Sequence, residues 1–125
     1  MNLRAEVKRI IPSNRSLDWN ELEAGMDQRD AFSTFFVDVG LENDPGSDMF
    51  VAGVATRAAA SRARAKGEPQ YPGFIVDDFN RVEIERTIKS FVSAVTGADW
   101  ASIVESLRQR MDWEYEAIPP LRDRR

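Results

Sequence analysis

The sequence predicts an α+β fold: one domain holding an antiparallel or mixed sheet of about five strands, with helices packed on one face. Three observations carry this. Apolar residues alternate with polar ones in several short runs of the first 79 residues, the period of half-buried strands. Asn43-Asp44-Pro45-Gly46 stands between two such runs as a turn signal. The C-terminal third changes to helical spacing, in two segments that each open on a capping residue.

Taken in order, residues 3–11 read as a strand, with Leu3, Ala5 and Val7 alternating with charges until Pro12 ends it. Residues 13–31 read as a loop with one helical turn around Trp19 to Leu22. Residues 32–41 place Phe35, Val37, Val39 and Leu41 on one face. Met49–Ala55 returns as the second arm of an antiparallel hairpin. Thr56 caps an alanine-rich helix that stops at Gly67. A loop with Pro69 and Pro72 leads to a strand at Phe74–Phe79. Asn80 then caps a helix, with Glu83 completing a capping box and Ile84, Ile88, Phe91, Val92 and Val95 on the buried face. Gly97 closes that helix. Asp99 caps the next, whose inner face holds Trp100, Ile103, Val104, Leu107 and Met111. At Trp113-Glu114-Tyr115-Glu116 the period returns to two, which predicts a short final strand with an acidic face. The domain spans 1–118, and 119–125 reads as a flexible tail.

Composition removes several classes of function. The 125 residues contain no histidine and no cysteine. A triad built on imidazole, a thiolate nucleophile, a disulfide framework and a histidine-ligated zinc or haem are therefore impossible. No cofactor or metal is implied. No stretch resembles a signal peptide or is apolar for long enough to cross a bilayer, so a cytoplasmic protein is expected.

Charge is segregated. Nine acids against Arg29 alone lie between Asp18 and Asp48, four basic residues (Arg57, Arg62, Arg64, Lys66) follow, and acids again outnumber bases from Glu68 to Ile118. An acidic surface interrupted by one basic helix is expected. Several residues carry two readings each. Glu114 and Glu116 form either a contact edge or the solvated side of a half-buried strand. Asp77 and Asp78 form either a contact or cation site or a turn before a helix. Trp19 lies among acids without periodicity, either as an exposed anchor or as a core residue. Trp100 is an interface anchor or, by its register with Ile103, core. The loop 42–48, with Glu42, Asp44 and Asp48, has the composition of a calcium loop without its ligand spacing, so a hairpin turn is preferred. Arg62 and Lys66 share a helix face, as a phosphate-contacting helix would arrange them, yet no aromatic residues are interleaved with them.

With these residues laid out, the chain resembles the immunity protein 8 family of bacterial polymorphic toxin systems. The resemblance rests on the strand Phe74-Ile75-Val76-Asp77-Asp78-Phe79, the amphipathic helix after it, the Gly97-Ala98-Asp99-Trp100 entry into a second helix and the closing Trp113-Glu114-Tyr115-Glu116. A weaker match runs from Phe50–Ala55 into the helix at Thr56, so roughly residues 32–118 are covered. The chain departs from the pattern at Ala117 and Ile118, where an acid and an aromatic would be expected, and in the alanine- and arginine-rich helix. The resemblance implies a cytoplasmic, non-catalytic antidote that binds a cognate toxin domain and occludes its active site. A nuclease toxin with a basic groove would suit the acidic surface. Neither nucleic acid nor membrane is an implied partner. The toxin-binding candidates are Trp19, Glu42, Asp44, Asp48, Asp77, Asp78, Glu114 and Glu116. Two competing readings are a carboxylate enzyme using Asp77, Asp78, Glu114 or Glu116, and a nucleic-acid or adaptor module working through helix 57–66.

Overall fold

The computed structural model describes residues 2–14, 18–67 and 73–116. In chain order the elements are β1 (Leu3–Pro12), α1 (Trp19–Gly25), β2 (Phe32–Leu41), β3 (Asp48–Thr56), α2 (Arg57–Ala65), β4 (Gly73–Val76), α3 (Arg81–Ser93), β5 (Thr96–Gly97), α4 (Trp100–Leu107) and β6 (Asp112–Trp113). The sheet runs β4-β3-β2-β1-β5, with β6 also paired to β3. Among the described residues only the β3–β4 pair is parallel. The α+β expectation with a mixed sheet therefore holds.

The β2–β3 hairpin forms as the alternation dictates. Phe35, Val37 and Val39 of β2 and Phe50, Ala52 and Val54 of β3 are wholly buried. Ile84, Ile88 and Val92 of α3, Ile103, Val104 and Leu107 of α4, and Trp19 and Leu22 of α1 join the same core. This is the core face of the sheet. Ala59 of α2 is buried but lies outside that cluster, because α2 borders the opposite face. There Phe32, Ala55 and Ile75 are cross-strand partners.

Caps behave as their chemistry requires. Asn80, Asp99, Thr56 and Asp18 each accept a backbone N–H three residues on with the side chain. The capping box at Asn80 is half made. Its own N–H donates to the Asp78 carbonyl, and the Glu83 carboxylate turns instead to Arg86.

Several boundaries move. β1 carries an irregularity between Val7 and Arg9, so its inward positions change from Ala5 and Val7 to Ile10 and Pro12, and Leu3 is exposed. α1 has seven residues, about two turns rather than one. β4 stops at Val76, while Phe79 is buried beyond it and donates its N–H to the Gln28 carbonyl at 2.6 Å. α3 ends at Ser93, and Gly97 belongs to β5, paired with Leu3 at the start of β1. Met111 is buried past the end of α4.

The expected acidic final strand does not form. β6 is two residues long, and Glu114–Glu116 closes into a 3-10 turn. The Tyr115 ring of that turn sits edge-on to Trp113, with ring centroids 4.8 Å apart. The proline-bearing loop before β4 and the segment 119–125 lie outside the described residues.

Candidate interaction surface

At the turn end of the hairpin, Asn43 takes a left-handed backbone with φ 66°. Asp44 accepts the Gly46 N–H at 2.8 Å, an Asx-type turn. The turn folds back on β2 so closely that a Cβ on Gly40 would stand 2.0 Å from the Gly46 carbonyl oxygen. Only glycine fits there. Asp48, the first residue of β3, binds inward: its Oδ2 accepts the indole N–H of Trp100 at 3.0 Å and of Trp113 at 3.2 Å. One carboxylate oxygen thus ties α4 and β6 to the sheet. A hollow of about 210 Å³ lies among Gly40, Leu41, Asp44, Gly46, Ser47, Asp48 and Trp100. Glu42 is exposed beside it.

The other candidates are scattered. Asp77 ion-pairs with Arg57 at 2.7 Å and Asp78 with Arg29 at 3.9 Å. Glu114 is half-buried in the 3-10 turn, and the Glu116 side chain falls outside the described residues. Val76, just before Asp77, pairs with Thr56, and Trp113, just before Glu114, pairs with Phe50. Those partners are six residue steps apart along β3, roughly 20 Å. Asp77 and Asp78 therefore do not converge with Glu114. No group of three acids among the described residues is placed to hold a metal ion.

Of its two readings, exposed anchor and core residue, Trp19 takes the second. It is 7 % exposed, stacks on Phe35 at 5.1 Å and donates its indole N–H to the Ile10 carbonyl. Asp18 caps α1 and delivers the ring to the core, so the tryptophan among acids is a packing residue. Asp48, half-buried at the hollow, is likewise engaged by the two indoles through Oδ2.

The far end of the hairpin differs. A groove of about 700 Å³ runs between α2 and the second face of the sheet. Its floor is small and apolar (Gly53, Ala55, Ala60, Ala63 and Gly73 among its lining), and Phe32 and Ile75 stand at it 50 % and 43 % exposed. Arg62, Arg64 and Lys66 also line it. Arg62 hydrogen-bonds Asp30, which holds the Asp30 carboxyl below its ordinary value of 3.8; slight desolvation opposes this and the guanidinium charge adds to it. No carboxylate among the described residues pairs with Arg64 or Lys66.

Sequence reasoning missed two features here. Nothing local signals that Trp100 and Trp113 meet on Asp48, since the three lie far apart in the chain. The second face was legible in part: Phe36, Met49 and Val51 occupy outward positions of β2 and β3 and are only half-buried, where a solvated face carries polar residues.

These features define a small α+β domain whose notable surfaces are a hairpin end and a groove, without a convergent catalytic cluster among the described residues. No described helix is long and apolar enough to cross a membrane. Residues 15–118 match the family of immunity protein 8, so the chain belongs to that family. The match begins upstream of residue 32 and takes in α1. No curated protein and no solved structure matches the chain.

Proposed function

We propose that this protein is a cytoplasmic, non-catalytic antidote that binds one cognate toxin domain and occludes its active site. The observation that carries the reading is the family match over residues 15–118. The dispersal of Asp77, Asp78 and Glu114 and the lack of histidine and cysteine agree with it, since a binding protein needs no convergent acid and base. Glu42 and Asp44 on the hairpin turn, with Asp77, Asp78, Glu114 and Glu116, are the acidic contacts that orient the toxin. Trp19 and Asp48 support the scaffold. A net charge of −4 favours a toxin whose own cleft is basic, as in a nuclease.

The test is co-expression with the toxin domain encoded beside this gene. Survival of the host and co-purification of a complex are expected. A toxin that kills in the presence of the folded protein, or that fails to co-purify, overturns the reading. Reversing Glu42 and Asp44 together to lysine is expected to slow association about tenfold at low salt, with little change in dissociation.

A further inference from the structure

We infer that the groove between α2 and the second sheet face seats an extended segment of the toxin in which an acidic residue lies between apolar ones. This rests on the toxin-binding reading and names the chemistry of the anchored segment. The floor is lined by Gly53, Ala55, Ala60, Ala63 and Gly73, so a main chain can approach closely without meeting long side chains. Phe32 and Ile75 leave about half their surface in water at its mouth, and burying them against apolar side chains supplies the gain. From Ala60 to Lys66 the helical wall runs about 9 Å, the length of three extended residues.

The charge at the groove selects the occupant. In a chain of net charge −4, Arg64 and Lys66 lie on the groove without a carboxylate partner among the described residues. Asp30, the acid that also lines the groove, is bound to Arg62. A carboxylate arriving between two apolar side chains would meet both cations while its neighbours cover the floor. A nucleic-acid backbone gains nothing from an aliphatic floor, and the acidic domain repels it.

The experiment measures binding of an inactivated form of the adjacent-gene toxin domain to the full-length protein and to two variants. Ala63→Trp fills the groove from its half-buried position on the groove side of α2. Arg64→Glu with Lys66→Glu reverses its charge. Circular dichroism and melting show that each remains folded, and Arg64→Ala is measured alongside as a milder change. Each of the first two is expected to raise Kd about 30-fold, mainly through faster dissociation. Reversing the acid of the toxin segment to lysine should restore binding to the charge-reversed protein.

Wild-type binding with both variants within about threefold of it overturns this inference and leaves the antidote reading standing. Absence of wild-type binding removes both. Two control measurements would also overturn it. One is capture of a fluorescent single-stranded oligonucleotide by the wild type and not by the charge-reversed form. The other is a wild-type dimer in sedimentation that Ala63→Trp dissociates.

Discussion

The two ends of the β2–β3 hairpin use charge in opposite ways. At the turn end, Asp44 and Asp48 are bound within the protein, the first by the Gly46 N–H and the second by two indoles. The rest of the run of nine acids from Asp18 to Asp48 is largely engaged too, but away from the turn: Asp18, Glu23 and Asp27 accept hydrogen bonds, Asp38 pairs with Arg9, and Asp30, at the groove, pairs with Arg62. At the α2 end the local sequence is basic, and Arg64 and Lys66 remain directed at a groove. A dense run of like charge therefore does not by itself mark the surface a partner meets. What matters is which charges the fold has already committed.

Removing the Asp48 carboxylate gives the largest effect expected from this contrast. Asp48→Ala leaves two half-buried indole N–H groups without their acceptor and should cost about 3 kcal/mol in urea unfolding. Asp48→Asn keeps one carbonyl oxygen and should lose about 1 kcal/mol. Tryptophan fluorescence should shift to longer wavelength in the alanine variant. If Asp48→Ala unfolds at the wild-type midpoint, Asp48 is an outward acid after all, and the contrast between the ends collapses.

Each end is also fixed by a close approach of two glycine backbones. A Cβ on Gly40 would meet the Gly46 oxygen at 2.0 Å, and one on Gly73 would meet the Gly53 oxygen at 2.4 Å. Neither obstacle is a flexible side chain, so the backbone itself must move. Gly40→Ala should therefore destabilise by about 3 kcal/mol and Gly73→Ala by about 2 kcal/mol. Only the second should widen the groove and weaken toxin binding beyond its stability cost. Equal effects of both on binding would show that the groove has no special part in it.

What the sequence made legible follows the same division between local and distant causes. The hairpin, the caps Thr56, Asn80 and Asp99 and the core stripes of α3 and α4 rest on contacts within a few residues, and they formed as read. The irregularity after Val7 defeated the alternation in β1, because one extra residue exchanges the two faces. The acidic strand at Trp113-Glu114-Tyr115-Glu116 failed although β3 runs on through Met49 and Asp48 opposite it: pairing stops at Trp113, and Glu114–Glu116 turns instead, with Tyr115 packed on the Trp113 ring. Trp19 stayed open between exposed and buried because its partners, Ile10 and Phe35, lie in separate strands. The groove was hidden for the same reason: α2 read as a solvated basic helix, and its small-residue side acquires meaning only once Gly53 and Gly73 are brought beside it.

The smallest expected effect is a pair of acid titrations that report on each end separately. Asp99, which caps α4 next to Trp100, is held below its ordinary value of 3.8 by the Ser102 backbone N–H and then the Ser102 hydroxyl. Asp30 at the groove is lowered chiefly by its hydrogen bond from Arg62. Both folded values are depressed, so each carboxylate contributes its full stability above about pH 4 and loses it as pH falls through the folded value. Melting temperature should stay level from pH 7 to 5 and decline below 4. Asp99→Asn keeps a good cap while removing one titrating group, so its decline should be shallower than that of the wild type. Asp30→Asn should do the same and also take one negative charge out of the groove, tightening toxin binding slightly at pH 7. If Asp30→Asn instead weakens the complex, the arginine is held in its useful position by Asp30, and the two ends are alike in needing their acids bound.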